Sequence, residues 1–146
     1  MALKIKSRTA QYSLNADFSF VFNDTMLDSA GALKDFKTTG TSFVGDVIAL
    51  PPGAVVLSGS VVTDTAVTGS TAYNISIGDS GNPSRYLGVT NAVAAGSIAL
   101  VPTGYKGVGE NVRLTVAPTI ADATAGAVTV RVTFVVAGRA NEVQIT

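Results

Sequence analysis

The fold class is decided by residues 127–136, which read AVTVRVTFVV. Apolar side chains occupy every second position of this stretch: Val128, Val130, Val132, Phe134 and Val136. Thr129, Arg131 and Thr133 lie between them. Successive side chains of a β-strand point to opposite faces, so this alternation predicts a strand with one buried face.

The same period of two recurs along most of the chain. It predicts further strands around Phe18, Phe20 and Phe22 and over residues 43–50, 54–63, 71–77, 86–89, 98–101 and 111–116. In residues 54–63 the pattern places Val55, Leu57 and Val61 on one side, and Gly59 indicates a bulge or bend. Residues 43–50 place Asp46 on the face of Val44 and Ile48, which is typical of an edge strand.

Helix signals are weak, and turn signals are frequent. The best helix candidate is residues 28–37 (DSAGALKDFK), which Gly31 interrupts and which predicts at most two turns. Pro51-Pro52-Gly53 predicts a tight turn, and residues 78–83, 104–109 and 121–126 predict loops. We therefore expect an all-β, single-domain antiparallel β-sandwich, jelly-roll-like in its strand order. It spans residues 17–138, with an N-terminal arm or edge strand over 1–16 and a C-terminal tail over 139–146.

The charge of the chain argues against two classes of partner. Ten basic and ten acidic residues give a net charge of zero, and charged residues make up 14% of the 146. A balanced charge offers no strong field for nucleic acid or an acidic membrane, so we expect neither as a partner. We also see no signal peptide and no apolar run of membrane-spanning length.

The chain contains no His and no Cys. This composition removes Ser-His-Asp and Cys-His catalysis and the common zinc sites. We therefore expect no enzyme, no cofactor and no metal. The remaining enzymatic alternative is a carboxylate-only glycan hydrolase, for which Glu110 and Glu142 are the best candidates.

Two loops have composition that could suggest ligand binding. Residues 77–82 (IGDSGN) could supply oxygen ligands to calcium, but we favour a turn in which Asp79 closes an Asx-turn. Residues 104–109 (GYKGVG) lack the Lys-Ser/Thr ending of a phosphate-binding loop, and we interpret them as a flexible hairpin loop.

Five residues are candidates for partner binding: Lys4, Lys6, Arg8, Tyr105 and Arg139. The first three form a basic N-terminal segment that could act as an arm on a neighbouring molecule. Arg139 lies in the polar C-terminal tail, which could serve in the same way. Tyr105 could anchor an interface from its loop or fold back onto the core. Arg113 and Arg131, on the polar faces of predicted strands, could pair with acids across the sheet.

Residues 47–142 resemble a family of small structural proteins of tailed phages. The resemblance rests on LPPGAVV at 50–56, IGDSG at 77–81, RYL at 85–87 and VRVTFVVAGRANE at 130–142, in that order. It implies a virion protein that decorates or cements the capsid as a homotrimer, with the major capsid protein as its partner. It also implies a location on the capsid surface after assembly in the host cytoplasm. Residues 1–40 carry no part of the resemblance.

The alternative function is a tail-associated or host-glycan-binding β-sandwich module. Carbohydrate sites usually stack sugar rings on exposed aromatic side chains. This chain has no Trp and only 7% aromatic residues, most of them at alternating core positions.

Overall fold

The computed structural model describes residues 12–138 of the chain. This part contains no helix, and so none that could span a membrane. It contains ten strands: β1 (Leu14–Val21), β2 (Thr25–Leu27), β3 (Leu33–Asp35), β4 (Phe43–Ile48), β5 (Ala54–Thr68), β6 (Ala72–Gly78), β7 (Leu87–Asn91), β8 (Gly96–Ala99), β9 (Val112–Thr119) and β10 (Ala125–Val136).

Eight of these strands form two four-stranded antiparallel sheets that pack face to face. One sheet has the order β1-β10-β5-β8, and the other has the order β4-β9-β6-β7. β2 and β3 form a separate hairpin. The predicted all-β antiparallel sandwich is confirmed.

The strand pairing is nested along the chain. β6 pairs with β7, β5 with β8, β4 with β9 and β1 with β10. The chain thus folds as one long antiparallel ribbon whose successive strand pairs alternate between the two sheets. This order is jelly-roll-like, since jelly rolls are eight-stranded double sheets built from two Greek keys.

The core consists of the alternating apolar residues that the sequence pattern predicts. Val128, Val130, Val132, Phe134 and Val136 of β10 are all buried. At one end of the core Phe36 lies between Phe20 and Phe43, with ring centroids 4.3 and 4.7 Å away. Burying a side chain of this size stabilises the fold by roughly 1.5–3 kcal/mol.

Polar groups within the core have partners. Tyr73 Oη donates a 2.7 Å hydrogen bond to the Phe36 carbonyl, and Thr63 Oγ1 donates one of 2.9 Å to the Ala92 carbonyl. Burial raises the pKa of Tyr73 well above its ordinary value, so its phenol stays protonated and keeps this bond. Among the described residues, no buried side-chain nitrogen or oxygen lacks a hydrogen bond.

Two β-bulges change the faces that simple alternation assigns. On β5 the register shifts between Ser58 and Val56, so that Val56 is buried while Leu57 is 48% exposed. The predicted grouping of Leu57 with Val61 on one buried side is therefore wrong, because the extra residue reverses the alternation. On β4 a shift between Asp46 and Ile48 turns Ile48 inward and leaves Asp46 outside. β4 is an edge strand, as predicted.

The predicted helix over residues 28–37 is wrong. These residues form the turn and second strand of the β2–β3 hairpin, in which Leu27 pairs with Leu33. The Asp28 carboxylate accepts hydrogen bonds from the Ala30 and Ala32 amides, both 2.9 Å long. Asp side chains commonly stabilise turns through such bonds. Here the Asp28 carboxylate binds the Ala32 amide, which would bond to the Asp28 carbonyl oxygen if these residues were helical.

Candidate partner-binding end of the sandwich

The jelly-roll-like topology brings three loops and the approaches to both chain termini to one end of the sandwich. β1 begins with Leu14 opposite Phe134, and β10 ends with Val136 opposite Ala54 at the start of β5. The β4–β5, β6–β7 and β8–β9 connections turn at this same end. We call it the terminal end, and it comprises residues 49–53, 79–86 and 100–111 with the adjoining ends of β1 and β10.

The predicted partner-binding residues relate to this end in two ways. Tyr105 lies within it, in the β8–β9 loop. Lys4, Lys6, Arg8 and Arg139 lie outside the described residues. The segments that carry those four residues nevertheless join the sandwich here, because the first strand starts and the last strand ends at the terminal end.

Tyr105 is held between two charged side chains. The guanidinium carbon of Arg85 lies 3.6 Å from the centroid of the Tyr105 ring, which is a cation–π contact. Tyr105 Oη donates a 2.7 Å hydrogen bond to Glu110 Oε1, and Glu110 Oε2 accepts one of 2.7 Å from the Val108 amide. The half-buried ring therefore joins the β6–β7 loop to the β8–β9 loop and does not enter the core.

Asp79 holds the Arg85 side chain that lies over the Tyr105 ring. Its Oδ1 accepts hydrogen bonds from the Gly81 and Asn82 amides at 2.9 and 2.8 Å, which confirms the predicted Asx-turn. Arg85 Nε donates to Asp79 Oδ2 in an ion pair whose carboxylate is almost fully buried. Both carboxylate oxygens are thus bound by donors of the chain itself, the opposite of an open calcium site.

The electrostatics of the network favour one charge state across the neutral pH range. The hydrogen bond to Asp79 raises the pKa of Arg85, and the hydrogen bond to Glu110 raises the pKa of the Tyr105 phenol. The hydrogen bond from Tyr105 lowers the pKa of Glu110. None of these shifts moves a group toward neutral pH, so the network orders the loops and does not exchange protons there.

The β8–β9 loop is also tied to the backbone of β5. The Gly107 amide donates to the Ala54 carbonyl at 2.9 Å, and the Gly53 amide donates to the Gly107 carbonyl at 2.8 Å. Lys106 forms an isolated bridge with Val55. The interpretation of residues 104–109 as a flexible hairpin loop is wrong, because these bonds attach the loop to the sheet.

This ordered loop presents apolar side chains to solvent. Val108 is 79% exposed and Val101 is 67% exposed. The exposed Pro52 lies beside Gly109. Sequence reasoning missed Val101, Val108 and Arg85 as functional candidates; the signal available was two valines in a polar, glycine-rich segment.

Other features of the described residues offer no comparable site. Two shallow cavities, of about 320 and 230 Å³, lie toward the opposite end, beside residues 39–42 and beside Asp24. No group of three acidic residues that could hold a metal occurs in residues 12–138. Glu110 is bound within the network described above, and Glu142 lies outside the described residues.

The two strand arginines differ. Arg113 Nε lies 2.8 Å from Asp46 Oδ1 across the sheet, as the sequence suggested. Arg131 is exposed and forms no ion pair within the part that the structure describes. In that part Tyr12 is 81% exposed and the other aromatic residues are half-buried or buried, so the described residues present no group of exposed aromatic side chains for a sugar ring.

Comparison with known proteins gives no family by sequence. No family model and no curated protein matches the chain. Solved structures do match. A chain in the structure titled "Cyanophage Pam1 capsid asymmetric unit" has 24% identity and a TM-score of 0.61, and the match covers 92% of this chain and 91% of that chain.

Two further phage structures match over a similar extent. A chain in "Capsid of Ralstonia phage GP4" has 11% identity and a TM-score of 0.59, with 94% of this chain and 93% of that chain covered. A chain in "Acidic stable capsid structure of Helicobacter pylori bacteriophage KHP30" has 18% identity and a TM-score of 0.63, with 93% and 96% covered. The likenesses show a shared fold across chains of nearly equal length.

Proposed function

We propose that this chain is a structural protein of a phage capsid that decorates or cements the shell by binding across neighbouring shell subunits, without catalysis. The observation that carries the proposal is the extent of the structural likeness. Chains from three phage capsids match over more than nine-tenths of both partners. The match therefore extends over the whole domain and is not confined to a part of it.

The distribution of charge supports a role for the N-terminal segment. Residues 12–138 contain six basic and nine acidic residues, whereas residues 1–11 contain Lys4, Lys6 and Arg8 and no acid. A basic segment on a mildly acidic body favours contact with an acidic surface of another molecule. We propose that this segment reaches an acidic patch of the major capsid protein, with Arg139 of the tail contributing beside it.

The terminal end supplies the apolar part of the proposed contact. Val108 and Val101 project from a loop that the Arg85–Tyr105–Glu110 network holds in place. Interfaces gain most of their affinity from a few apolar or aromatic anchors, and an ordered loop loses little entropy on binding. Tyr105 serves here by positioning the valines, and the half-buried ring itself is also available for contact.

The proposed assembly is a homotrimer on the outer surface of the capsid, added in the host cytoplasm. Three identical contacts on one trimer raise the overall affinity through effective concentration, even where each contact is weak. The role requires neither catalysis nor a conformational change of the chain. A sandwich with a low content of charged residues is compatible with it.

Co-sedimentation with purified shells tests the proposal. Wild-type protein is expected to pellet with shells and to saturate at a fixed ratio to the major capsid protein. Val108→Asp places a charge at the proposed contact and is expected to weaken binding by about tenfold or more. Ile120→Asp is the matched control, since Ile120 is equally exposed at 79% but lies at the opposite end. Equal loss in both variants, or no binding of wild-type protein, would contradict the proposal.

A further inference from the structure

Among residues 12–138, the edge strands on one side of the sandwich carry no charged residue. Residues 86–105 form a run of twenty without Asp, Glu, Lys or Arg, bounded by Arg85 and Lys106. The run contains β7 and β8, each of which is an edge strand of one of the two sheets. Most of its exposed residues are small, among them Gly88, Ala94, Ala95, Gly96, Ser97 and Ala99.

The edges on the other side of the sandwich are protected. β1 carries Asp17, and β4 carries Asp46, which pairs with Arg113. The Ser29 amide of the β2–β3 hairpin donates to the Val44 carbonyl of β4 at 2.8 Å, so part of that edge is covered. Charges and covering segments are the usual means by which proteins prevent unwanted strand pairing. Among residues 12–138, β8 has neither a charge nor a covering segment, and its protection is limited to its length of four residues, so its edge is available for pairing.

The backbone geometry of β8 leaves its outer side open. The Leu100 amide donates to the Gly59 carbonyl of β5 at 3.0 Å. Because antiparallel backbone groups alternate in direction, Ile98 and Gly96 also face β5, while the backbone groups of Ser97 and Ala99 face outward. Both residues have exposed, small side chains, so another strand could approach closely.

We propose that β8 of one copy pairs antiparallel with β8 of a second copy, about a two-fold axis near Ile98. Charge argues against β1 of another copy as the partner of β8, and a self-pairing contact of the common two-fold kind requires β8 with β8, not with the equally uncharged β7. Pairing with β1 of another copy would bring Asp17 toward the new contact, and burying an unpaired carboxylate is costly. Two uncharged β8 edges meet without that cost, and a surface that pairs with itself is isologous.

The contact adds a level of assembly beyond the proposed trimer. A two-fold contact cannot by itself build a trimer, so on a shell it would join neighbouring trimers into a net. Four residues per strand bury far less than the roughly 1,200 Å² of a stable interface, so the contact is weak in isolation. It becomes effective at high local concentration.

Sedimentation velocity on the purified full chain tests this pairing. Between about 10 µM and about 1 mM the mean mass is expected to rise toward twice that of the basic unit. Ser97→Lys, an edge lysine of the kind that blocks pairing, is expected to abolish the rise. Ser29→Lys, the same change at an exposed position on the other side, is expected to behave as wild type. A rise in the Ser97→Lys variant, or no rise in wild type, overturns the proposal.

Chemical cross-linking gives a second readout. The chain has no Cys, so Ser97→Cys introduces a single thiol. A short bis-maleimide is expected to join two Ser97→Cys chains in a concentration-dependent manner and to leave Ser29→Cys chains without cross-links. Equal yields at both positions would contradict the β8 contact. Neither experiment involves shells, so failure here leaves the capsid proposal standing, and failure of shell binding leaves this contact standing.

Discussion

At the scale of single residues, Ile120 holds a left-handed backbone conformation that is unfavourable for a β-branched residue. Its φ is 74°, and no other non-glycine residue of that part has a positive φ. The left-handed region costs an L-residue about 1–2 kcal/mol, and a β-branched side chain is unusual there. Since 79% of the Ile120 side chain is exposed, little buried contact offsets this strain.

We therefore expect Ile120→Asn to stabilise the protein by about 1 kcal/mol, because Asn adopts the left-handed region more readily. Thermal and urea unfolding measure the change. Ile120→Val keeps the branched Cβ and should leave the free energy of unfolding within about 0.5 kcal/mol of wild type. A loss of stability in Ile120→Asn would show that the isoleucine makes contacts outweighing its strain.

The Tyr105–Glu110 hydrogen bond predicts a specific titration. The bond raises the pKa of Tyr105, so Glu110→Gln, which removes the acceptor charge, should lower that pKa toward its ordinary value of 10.0. Ring-carbon NMR, with Tyr105→Phe to assign the resonance, measures it. An unchanged titration in Glu110→Gln would mean that the bond is not maintained in solution.

The same bond predicts a pH range over which these two groups contribute to stability. The contribution of Tyr105 to stability is fully present below 10.0, the pKa of a free phenol, and is lost as pH rises through the raised value. Glu110, whose pKa is lowered, gives the limit at low pH. Its contribution to stability is fully present above pH 4.5, the pKa of a free Glu, and is lost as pH falls through the lowered value. Between these limits both groups keep the form that bonds.

At the scale of elements, the end of β6 depends on the absence of a side chain at Gly78. A Cβ there would lie 2.1 Å from the Asn82 carbonyl oxygen and 2.4 Å from the Pro83 carbonyl carbon. Gly78→Ala must displace the backbone of the β6–β7 loop, and we expect a loss of about 2–3 kcal/mol in the free energy of unfolding.

Gly88 of the neighbouring β7 is the matched control for this substitution. A Cβ at Gly88 meets nothing within 4 Å, and its φ is not positive. Gly88→Ala should therefore change the free energy of unfolding by less than about 0.5 kcal/mol. Equal effects of the two substitutions, measured by urea unfolding, would contradict the close approach of the 79–86 loop.

The strands that could be predicted from the sequence are those in which apolar residues occupy every second position. In β9 the buried and less buried residues alternate throughout, and in β10 and β6 every apolar residue of the predicted inward face is buried, although Thr129 and Ser76 of the other face are buried as well. Alternation fails at Leu57 and between Asp46 and Ile48, because bulges arise from the pairing partner and leave no local signal. The β2–β3 hairpin was missed because side-chain bonds from Asp28 decide it.

The candidate site was predictable only in part, for a related reason. Tyr105 could be selected as an aromatic residue in a glycine-rich loop. Its contact with Arg85 joins loops twenty residues apart, and only the nested strand pairing brings those loops together. The exposure of Val108 follows from the attachment of its loop to β5, which sequence does not encode locally.

At the scale of the whole molecule, the proposed function gives the basic N-terminal segment a measurable role. Replacing Lys4, Lys6 and Arg8 together with Gln keeps the chain length but removes three positive charges. We expect weaker binding to shells at low salt and a smaller dependence of binding on salt, since charge contacts are screened as ionic strength rises. Replacing Lys34 and Lys37, which lie near the opposite end, is the control.

The composition of purified particles tests the central proposal most directly. Under the proposal a phage encodes this chain, and its genome-packed particles would be separated by density and their proteins quantified by mass spectrometry. The proposal predicts that the chain is present in a fixed, stoichiometric ratio to the major capsid protein and remains after washing. Particles that lack the chain, or that carry it only with isolated tails, would contradict a role in decorating or cementing the shell.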